Sequence, residues 1–425
     1  MNKTLLRSVR EYKKQSILAP LLVILEVLME VLIPLEMAKI IDVGIANGDM
    51  SYILQRGLIL VVMAMLALLF GVQAGNMAAI AGAGYARNLR HDIFYKVQDF
   101  SFKNIDHFST SGLVTRMTTD ITNIQMAYIM SIRLLARAPF MIILSWIMTL
   151  LLNKTISLLF LIVIPLLGGT LIYIAKKAHP HFIKVFDEYD VLNNSVQENV
   201  NASRVVKAFV REDYEIDKFH DISKYVYNLF TKAEKIVAWN SQVMQFTMYS
   251  VVLIMVLIGG KSIIAGTMET GELTSVIVYA LQIIGSLMMV TFVFVMIMIA
   301  EASSDRITEV MNEIPEMQDQ PDAVTEVPNG DIVFDHVDFS YAGDGGNLSL
   351  KNVNLHIESG QTIGIIGGTG SAKSSLVQLI PRLYDVTKGR VKVGGIDVRD
   401  YSLESLRDQV SMVLQKNVLF SGTIY

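Results

Sequence analysis

The segment TIGIIGGTGSAKSSLVQLI, residues 362–380, combines three patterns in a fixed order. An apolar run at 362–366 is followed by a glycine-rich stretch, then by Lys373 and Ser374, and then by apolar residues at helical spacing. This order predicts a β-strand, a phosphate-binding loop and an amphipathic α-helix, which together make a P-loop arrangement. The alternative is a glycine-rich turn that binds no ligand.

The chemistry of a phosphate-binding loop explains its composition. Successive backbone N–H groups hold phosphate oxygens, helped by the positive end of the following helix. Lys373 is placed to reach the β and γ phosphates of a nucleotide, and the Ser374 hydroxyl is placed to ligate Mg²⁺. The predicted phosphate-binding residues are Gly367, Gly368, Thr369, Gly370, Ser371, Ala372, Lys373, Ser374 and Ser375.

One position departs from the usual pattern G-x-x-x-x-G-K-[ST]. Gly367 fills the first glycine, but Ala372 stands where the second is expected. If this residue needs a positive φ, its Cβ costs about 1 kcal/mol. If its φ is negative, the alanine is harmless.

Composition limits what the rest of the chain can be. The chain has 425 residues, of which 52% are hydrophobic and 18% charged, with a formal net charge of −4 and no cysteine. The apolar excess excludes a disordered protein, and the charge gives no reason to expect nucleic acid as a partner. The lack of cysteine excludes a disulfide scaffold, a thiolate zinc site and a cysteine nucleophile.

The apolar excess is concentrated in six stretches, each long enough to cross a bilayer. Short turns alternate with two long charged connections, at roughly 83–130 and 179–242, and lysines and arginines concentrate in these connections and at the N-terminus. The positive-inside rule therefore predicts a multi-pass protein of the cytoplasmic (inner) membrane with both termini in the cytoplasm and with helices that continue beyond the bilayer. The predicted spans are about 17–41, 55–82, 131–152, 155–178, 243–266 and 272–300.

Past the sixth span the pattern changes from helical to strand-like. Pro315, Pro321 and Pro328 mark a linker, and short alternating runs follow at 332–339 and 353–357. We therefore predict a transmembrane domain at 1–314, a linker at 315–330 and part of a nucleotide-binding domain at 331–425.

Together these strings resemble the ATP-binding cassette (ABC) exporters of the multidrug type, over the whole chain. The resemblance implies an all-α six-helix membrane domain with long cytoplasmic helical extensions, followed by a truncated α/β P-loop NTPase domain. Tyr341 matches the aromatic residue that stacks on adenine, and Gln415, in VLQKN, matches the Q-loop glutamine that senses Mg²⁺. The residues that resemble the family's coupling regions are Gly112, Arg116, Asp120, Phe209 and Glu212. Ala372 is most similar to subunits of bacterial heterodimeric drug exporters.

The resemblance also implies an activity, cofactors and partners. We expect ATP, with Mg²⁺, to drive export of amphiphilic small molecules, drugs or lipids, by alternating access in a homo- or heterodimer with a second ABC subunit. The family's signature motif, Walker B strand and switch histidine do not follow Gln415 before Tyr425. A catalytic residue for hydrolysis is therefore not expected in this sequence. The alternative is an ATP-binding, non-hydrolysing regulatory subunit of a membrane complex.

Two carboxylates within the first span are candidate substrate contacts. Glu26 and Glu30 are four residues apart and so share a helix face. Ionisable groups at membrane depth are costly and usually face a cavity or a partner. They could form an acidic wall that attracts cationic amphiphiles, or they could be paired within the helix bundle or lie near lipid headgroups.

Overall fold

The computed structural model describes residues 3–343, 346–413 and 422–423, which divide between two compact units. The helical unit holds residues 9–86 and 123–302, and the mixed unit holds residues 3–8, 87–122 and the described residues from 303 onward. The α-helices are α1 (Lys3–Leu6), α2 (Lys13–Lys39), α3 (Met50–Gln98), α4 (Phe102–Phe108), α5 (Thr110–Thr115), α6 (Ile121–Met130), α7 (Ala136–Leu152), α8 (Lys154–Asn201), α9 (Ser203–Ala208), α10 (Glu212–Ile264), α11 (Thr270–Asn312), α12 (Lys373–Gln378) and α13 (Leu403–Gln409). A 3₁₀ helix spans Arg7–Tyr12, and wider π-helical turns span Ile40–Ile45, Arg116–Asp120 and Ser131–Leu135.

The predicted membrane spans are confirmed as helices. Six continuous helical stretches are long and apolar enough to cross a bilayer, namely Arg7–Ile45, Met50–Gln98, Thr110–Leu152, Lys154–Val185, Glu212–Ile264 and Thr270–Asn312. A helix of 49 residues such as α3 is roughly 74 Å long, whereas the hydrocarbon core of a bilayer is about 30 Å thick. The prediction that the helices continue past the membrane is therefore confirmed.

Between the spans, side-chain oxygens accept hydrogen bonds from backbone N–H groups at the starts of helices. At the start of α8, Asn153 Oδ1 accepts from the backbone N–H of Ile156 at 3.1 Å. At the start of α11, the carboxylate of Asp42 accepts from the backbone N–H groups of Gly271 at 2.6 Å and Glu272 at 3.1 Å. These contacts satisfy N–H groups that have no partner within the helix.

Small and branched side chains build the interior of the helical unit. Val23, Val27 and Val31 recur every four residues on α2 and are fully buried against Met141 of α7 and Tyr279 of α11. The Tyr279 hydroxyl donates to the backbone oxygen of Val31 at 2.7 Å. Burial of one apolar stripe on each helix is what holds these helices together.

The mixed unit contains a four-stranded antiparallel sheet of order β2-β1-β3-β4. The strands are β1 (Ile332–Phe339), β2 (Leu350–Ile357), β3 (Lys388–Val393) and β4 (Ile396–Asp397). In register, Ile332 of β1 lies opposite Ile357 of β2 and Val393 of β3. The strand predictions at 332–339 and 353–357 are confirmed, and one face of the sheet buries Phe334, Phe339, Val391 and Tyr401.

The strand predicted before the phosphate loop is absent from the structure, so that prediction is wrong. Residues 361–368 belong to neither helix nor strand, and Ile366 is 98% exposed. A strand exists only with a hydrogen-bonded neighbour, and the four described strands pair among themselves without flanking this segment. The helix that follows is confirmed, but α12 ends at Gln378 rather than Ile380.

Candidate functional site

The predicted phosphate loop closes around its lysine. Lys373, the first residue of α12, places its Nζ 2.9 Å from the backbone oxygen of Gly367, 2.8 Å from that of Gly368 and 3.2 Å from Ser371 Oγ. The ammonium group therefore lies within the curve of the loop, where it is in reach of an anion held by the backbone N–H groups. These residues fit a nucleotide phosphate, which Lys373 would bind together with the loop amides.

Ala372 adopts the backbone conformation that the sequence pattern reserves for glycine. It lies at the N-terminus of α12 with φ 58° and ψ 26°, in the left-handed region. An L-residue with a Cβ pays roughly 1–2 kcal/mol in this conformation, and glycine does not. Of the two possibilities left open by the sequence, the positive φ holds, so the loop carries backbone strain at this position.

Tyr341 lies beside the loop. Its hydroxyl is 2.9 Å from Ser375 Oγ and donates to Gln378 Oε1 at 3.2 Å, and its ring meets that of Phe339 edge-on at 4.7 Å. Both hydrogen-bond partners belong to α12, so the aromatic candidate and the loop are joined in the structure. Stacking of Tyr341 on adenine remains a prediction.

A cleft of about 960 Å³ unites most of the predicted nucleotide-binding residues. Within it, Ser374 is exposed while Ser375 is buried, so the hydroxyl of Ser374 is the accessible candidate for Mg²⁺. The predicted residues that line the cleft are Tyr341, Thr369, Gly370, Ser371, Ala372, Lys373, Ser374 and Ser375. The other predicted ligand, Gln415, lies outside the described residues.

Sequence reasoning missed Tyr384 and its contact with α4. The Tyr384 hydroxyl donates to Asp106 Oδ2 at 2.9 Å, and its ring is 5.1 Å from that of Tyr341 and 6.0 Å from that of Phe102. Burial and the neighbouring carboxylate of Asp106 raise the pKa of Tyr384 above its ordinary value. The signal in the sequence was an aromatic residue soon after α12, which has no motif to distinguish it from an ordinary core residue.

The predicted coupling residues of the first long connection belong to an interface with the end of α11. Asp120 is fully buried, and its carboxylate accepts from Ser303 Oγ at 2.8 Å, from Arg306 Nε at 2.9 Å and from Arg306 Nη2. Arg116 Nη2 donates to Glu309 at 2.6 Å. Gly112 donates its N–H to Ser109 Oγ at 3.1 Å, inside its own turn.

The coupling residues predicted in the second long connection are exposed in the helical unit. Phe209 follows α9 and is 73% exposed, and Glu212 begins α10. The hydrogen bonds of Phe209 include one from its N–H to the backbone oxygen of Val205 at 3.0 Å. A coupling role for either residue remains a prediction.

Glu26 and Glu30 share one arginine. Arg137 Nη1 donates to Glu26 Oε1 at 2.6 Å, and Arg137 Nη2 donates to the two oxygens of Glu30 at 2.8 and 2.5 Å. The structure therefore shows pairing within the bundle, one of the alternatives open from the sequence. It leaves the substrate-binding alternative as a prediction, because the carboxylates also line a cavity.

A membrane unit of six spanning helices joined in one chain to a P-loop domain defines an ABC transporter with exporter architecture. The model of the ABC transporter transmembrane region matches residues 16–287, and the ABC transporter model matches residues 350–425. The chain belongs to the ABC transporter family, and it is a multi-pass membrane protein.

Relatives extend along nearly the whole chain. The ABC transporter ATP-binding protein YfiB of Bacillus subtilis is 32% identical over 96% of this chain and 71% of its own length. The ABC transporter ATP-binding protein Rv1273c of Mycobacterium tuberculosis is 31% identical over 98% of this chain and 72% of its own length. The ATP-dependent lipid A-core flippase of Desulfotalea psychrophila is 29% identical over 81% of this chain and 60% of its own length.

Proposed function

We propose that this protein is a subunit of an ATP-driven exporter of amphiphilic small molecules, drugs or lipids. The observation that supports it most directly is the cleft shared by Tyr341 and the loop around Lys373, in a chain with six spanning helices. The similarity to a lipid A-core flippase supports an amphiphilic substrate. We place the protein in the cytoplasmic membrane with both termini in the cytoplasm, paired with a second ABC subunit.

Nucleotide binding follows from the chain's own groups. The loop amides and Lys373 would hold the phosphates, the Ser374 hydroxyl would ligate Mg²⁺, and the Tyr341 ring, which now contacts Ser375, would face the adenine. ATP supplies the free energy of transport. We propose that Gln415 completes the metal site and that 331–425 belongs to a nucleotide-binding domain, after a linker at 315–330 and a membrane domain at 1–314.

Coupling between nucleotide and transport needs a path through protein groups. In the mixed unit, Tyr384 contacts both Tyr341 and Asp106 of α4, and Asp120 and Arg116 bind the end of α11. We propose that these contacts, with Gly112, Phe209 and Glu212, transmit nucleotide binding to the spanning helices so that the membrane cavity alternates between the two sides.

The test is transport in inside-out vesicles that contain the complete exporter with its partner. Lys373→Ala should abolish ATP-dependent uptake of a fluorescent amphiphile, because Lys373 is the cation within the phosphate loop. Lys351→Ala, on an exposed position of β2, is the matched control and should transport normally. Normal uptake by Lys373→Ala, with the partner's own site inactivated, would refute the proposal.

A second function is favoured by the strained Ala372. A loop under backbone strain suits a subunit that binds ATP without hydrolysing it and regulates its partner. The two functions are separated by measuring ATP binding and ATP hydrolysis on the same complex. Tight binding to this subunit, with hydrolysis that is unchanged by Lys373→Ala, would favour the regulatory function.

A further inference from the structure

A cavity of about 550 Å³ in the helical unit lies against the shared carboxylates. Its charged lining comes from α2 and from the π-helical turn Ser131–Leu135, and α3 supplies an apolar wall. The lining includes Glu26, Glu30, Gly71, Gly75, Arg133 and Leu68. The cavity lies between segments that the sequence assigns to the first three spans, so a charge in it is held at membrane depth.

The acidic side of the cavity has too few donors. Glu26 and Glu30 are two carboxyl groups, and among the described residues Arg137 is the one guanidinium that binds them. Glu26 Oε2 is buried and has no hydrogen-bond partner among the described residues, while the side chain of Glu30 is 28% exposed. A buried acceptor without a donor is costly, so this side favours an additional N–H donor with positive charge.

The basic side of the cavity has too few acceptors. Arg133 is exposed, and in the part of the chain that the structure describes it makes no ion pair. Its Nη1 lies 3.6 Å from the position that a Cβ on Gly75 would occupy, so its guanidinium lies across the surface of α3. An arginine at membrane depth is stabilised by an anion, and its fork of donors suits a phosphate.

The two sides are separated by about one turn of α3. A Cβ on Gly71 would lie 3.0 Å from Glu26 Oε1, and Gly75, four residues on, faces Arg133. Four residues of α-helix span about 6 Å. Both glycines provide the space in which the two opposite charges approach the same helix without meeting each other.

We propose that this cavity binds the headgroup of a phosphoethanolamine lipid. Its primary ammonium donates to Glu30 and to the under-supplied Glu26, and its phosphate accepts from Arg133. A two-carbon bridge between nitrogen and phosphate ester matches the one-turn spacing of Gly71 and Gly75, which lie beside the two charges. A cation alone would leave Arg133 without an anion, and an anion alone would leave the carboxylates short of a donor.

The cavity walls suit the lipid tails. Leu68 and Val72 line it, are 67% and 61% exposed, and continue the apolar surface of α3. A lipid can therefore place its headgroup between the charges and its acyl chains along α3. The inference deepens the proposed function, on which it rests, by naming the substrate class of the membrane cavity.

The test measures binding without nucleotide, so that it does not depend on transport. The complete exporter, purified in detergent, is titrated with a fluorescent short-chain phosphatidylethanolamine, and unlabelled lipids compete. Phosphatidylethanolamine should compete at least tenfold better than phosphatidylcholine, which has no N–H, and than phosphatidylglycerol, which has no ammonium. Equal competition by the three lipids would overturn the proposal, and soluble phosphoethanolamine competing as well as the lipid would overturn the lipid assignment.

Matched variants locate the site. Arg133→Gln should weaken binding about tenfold, and Gly71→Ala should weaken it because its Cβ enters the space beside Glu26. Two controls on α3 should bind normally: Arg56→Gln, whose partner is Glu36, and Gly57→Ala, which has open space around it. Unchanged affinity in Arg133→Gln would refute the site.

Headgroup-selective binding without ATP-driven uptake would refute the proposed function and leave this inference standing.

Discussion

Two carboxylate–arginine clusters in this protein differ in how completely their carboxylate oxygens are hydrogen-bonded. In the mixed unit, Asp120 has one carboxylate that receives three donated bonds from Ser303 and Arg306. In the helical unit, Glu26 and Glu30 share Arg137, and one oxygen of Glu26 has no partner among the described residues. The saturated cluster joins helices, and the unsaturated one lines a cavity.

The nucleotide cleft also contains an unfavourable feature, which in this case is a backbone conformation. Ala372 lines that cleft in a left-handed conformation that a Cβ disfavours. Asp42, by contrast, accepts from two N–H groups at the start of α11 within the helical unit. The cavity beside Glu26 and the cleft at Ala372 therefore each contain one feature that costs free energy, as functional sites commonly do.

The largest effect should come from breaking the saturated cluster. Asp120→Asn removes the charge that Arg306 binds and sets an amide N–H₂ against its donors, so the protein should lose about 3 kcal/mol of stability. The thermal unfolding midpoint of the purified protein measures this loss. Asp305→Asn, at an exposed position of α11 next to Arg306, is the control and should unfold at the wild-type temperature. A similar midpoint for both variants would contradict the structural role of Asp120.

The next effect concerns the helix start that Asp42 satisfies. A Cβ on Gly271 would lie 2.6 Å from the backbone oxygen of Ala38 and 2.6 Å from Asp42 Oδ2, so Gly271→Ala must displace backbone and should cost about 2 kcal/mol. Gly260→Ala on α10 meets nothing within 4 Å and should not destabilise the protein. The same unfolding assay compares the two, and an equal midpoint would show that this turn yields easily.

Neutralising Glu26 or Glu30 should reduce stability less than Asp120→Asn does, and it should reduce the preference for positively charged substrates. Glu26→Gln and Glu30→Gln each leave Arg137 one carboxylate, so the loss should be about 1 kcal/mol, below that of Asp120→Asn. Both variants should reduce efflux of amphiphiles that carry an ammonium group more than efflux of neutral ones. Glu36→Gln, which lies outside the cavity on α2, is the control for the measurement of substrate preference. Equal losses for charged and neutral substrates would assign the cluster to packing.

The smallest effect concerns the strained loop. Ala372→Gly relieves roughly 1–2 kcal/mol of backbone strain but gives the unfolded chain more freedom, so a net gain of about 0.5 kcal/mol is expected. Ala265→Gly, at φ −77°, has no strain to relieve and should destabilise the protein. Nucleotide affinity and the unfolding midpoint are both measured, and destabilisation by Ala372→Gly would contradict the left-handed assignment.

The sequence predicted individual elements better than their pairings. The six spans and their extensions were correct because an α-helix satisfies its own backbone hydrogen bonds, so periodicity and length are enough to identify it. The strand at 362–366 was wrong because a strand depends on a neighbour that no local pattern specifies. Tyr384 was not predicted because its place in the site depends on contacts with Asp106 and Tyr341, which are distant in the chain.

By itself the sequence determined the number of spanning helices, the glycine-rich loop around Lys373 and the shared face of Glu26 and Glu30, since each depends on residues close together in the chain. Only the tertiary structure decided that Arg137 binds both carboxylates while Arg133 stays unpaired among the described residues, and that Ala372 is left-handed. Charge pairing and backbone strain are set by which segments meet in space. Spacing along the chain can identify the charged groups, but it cannot show which of them form pairs.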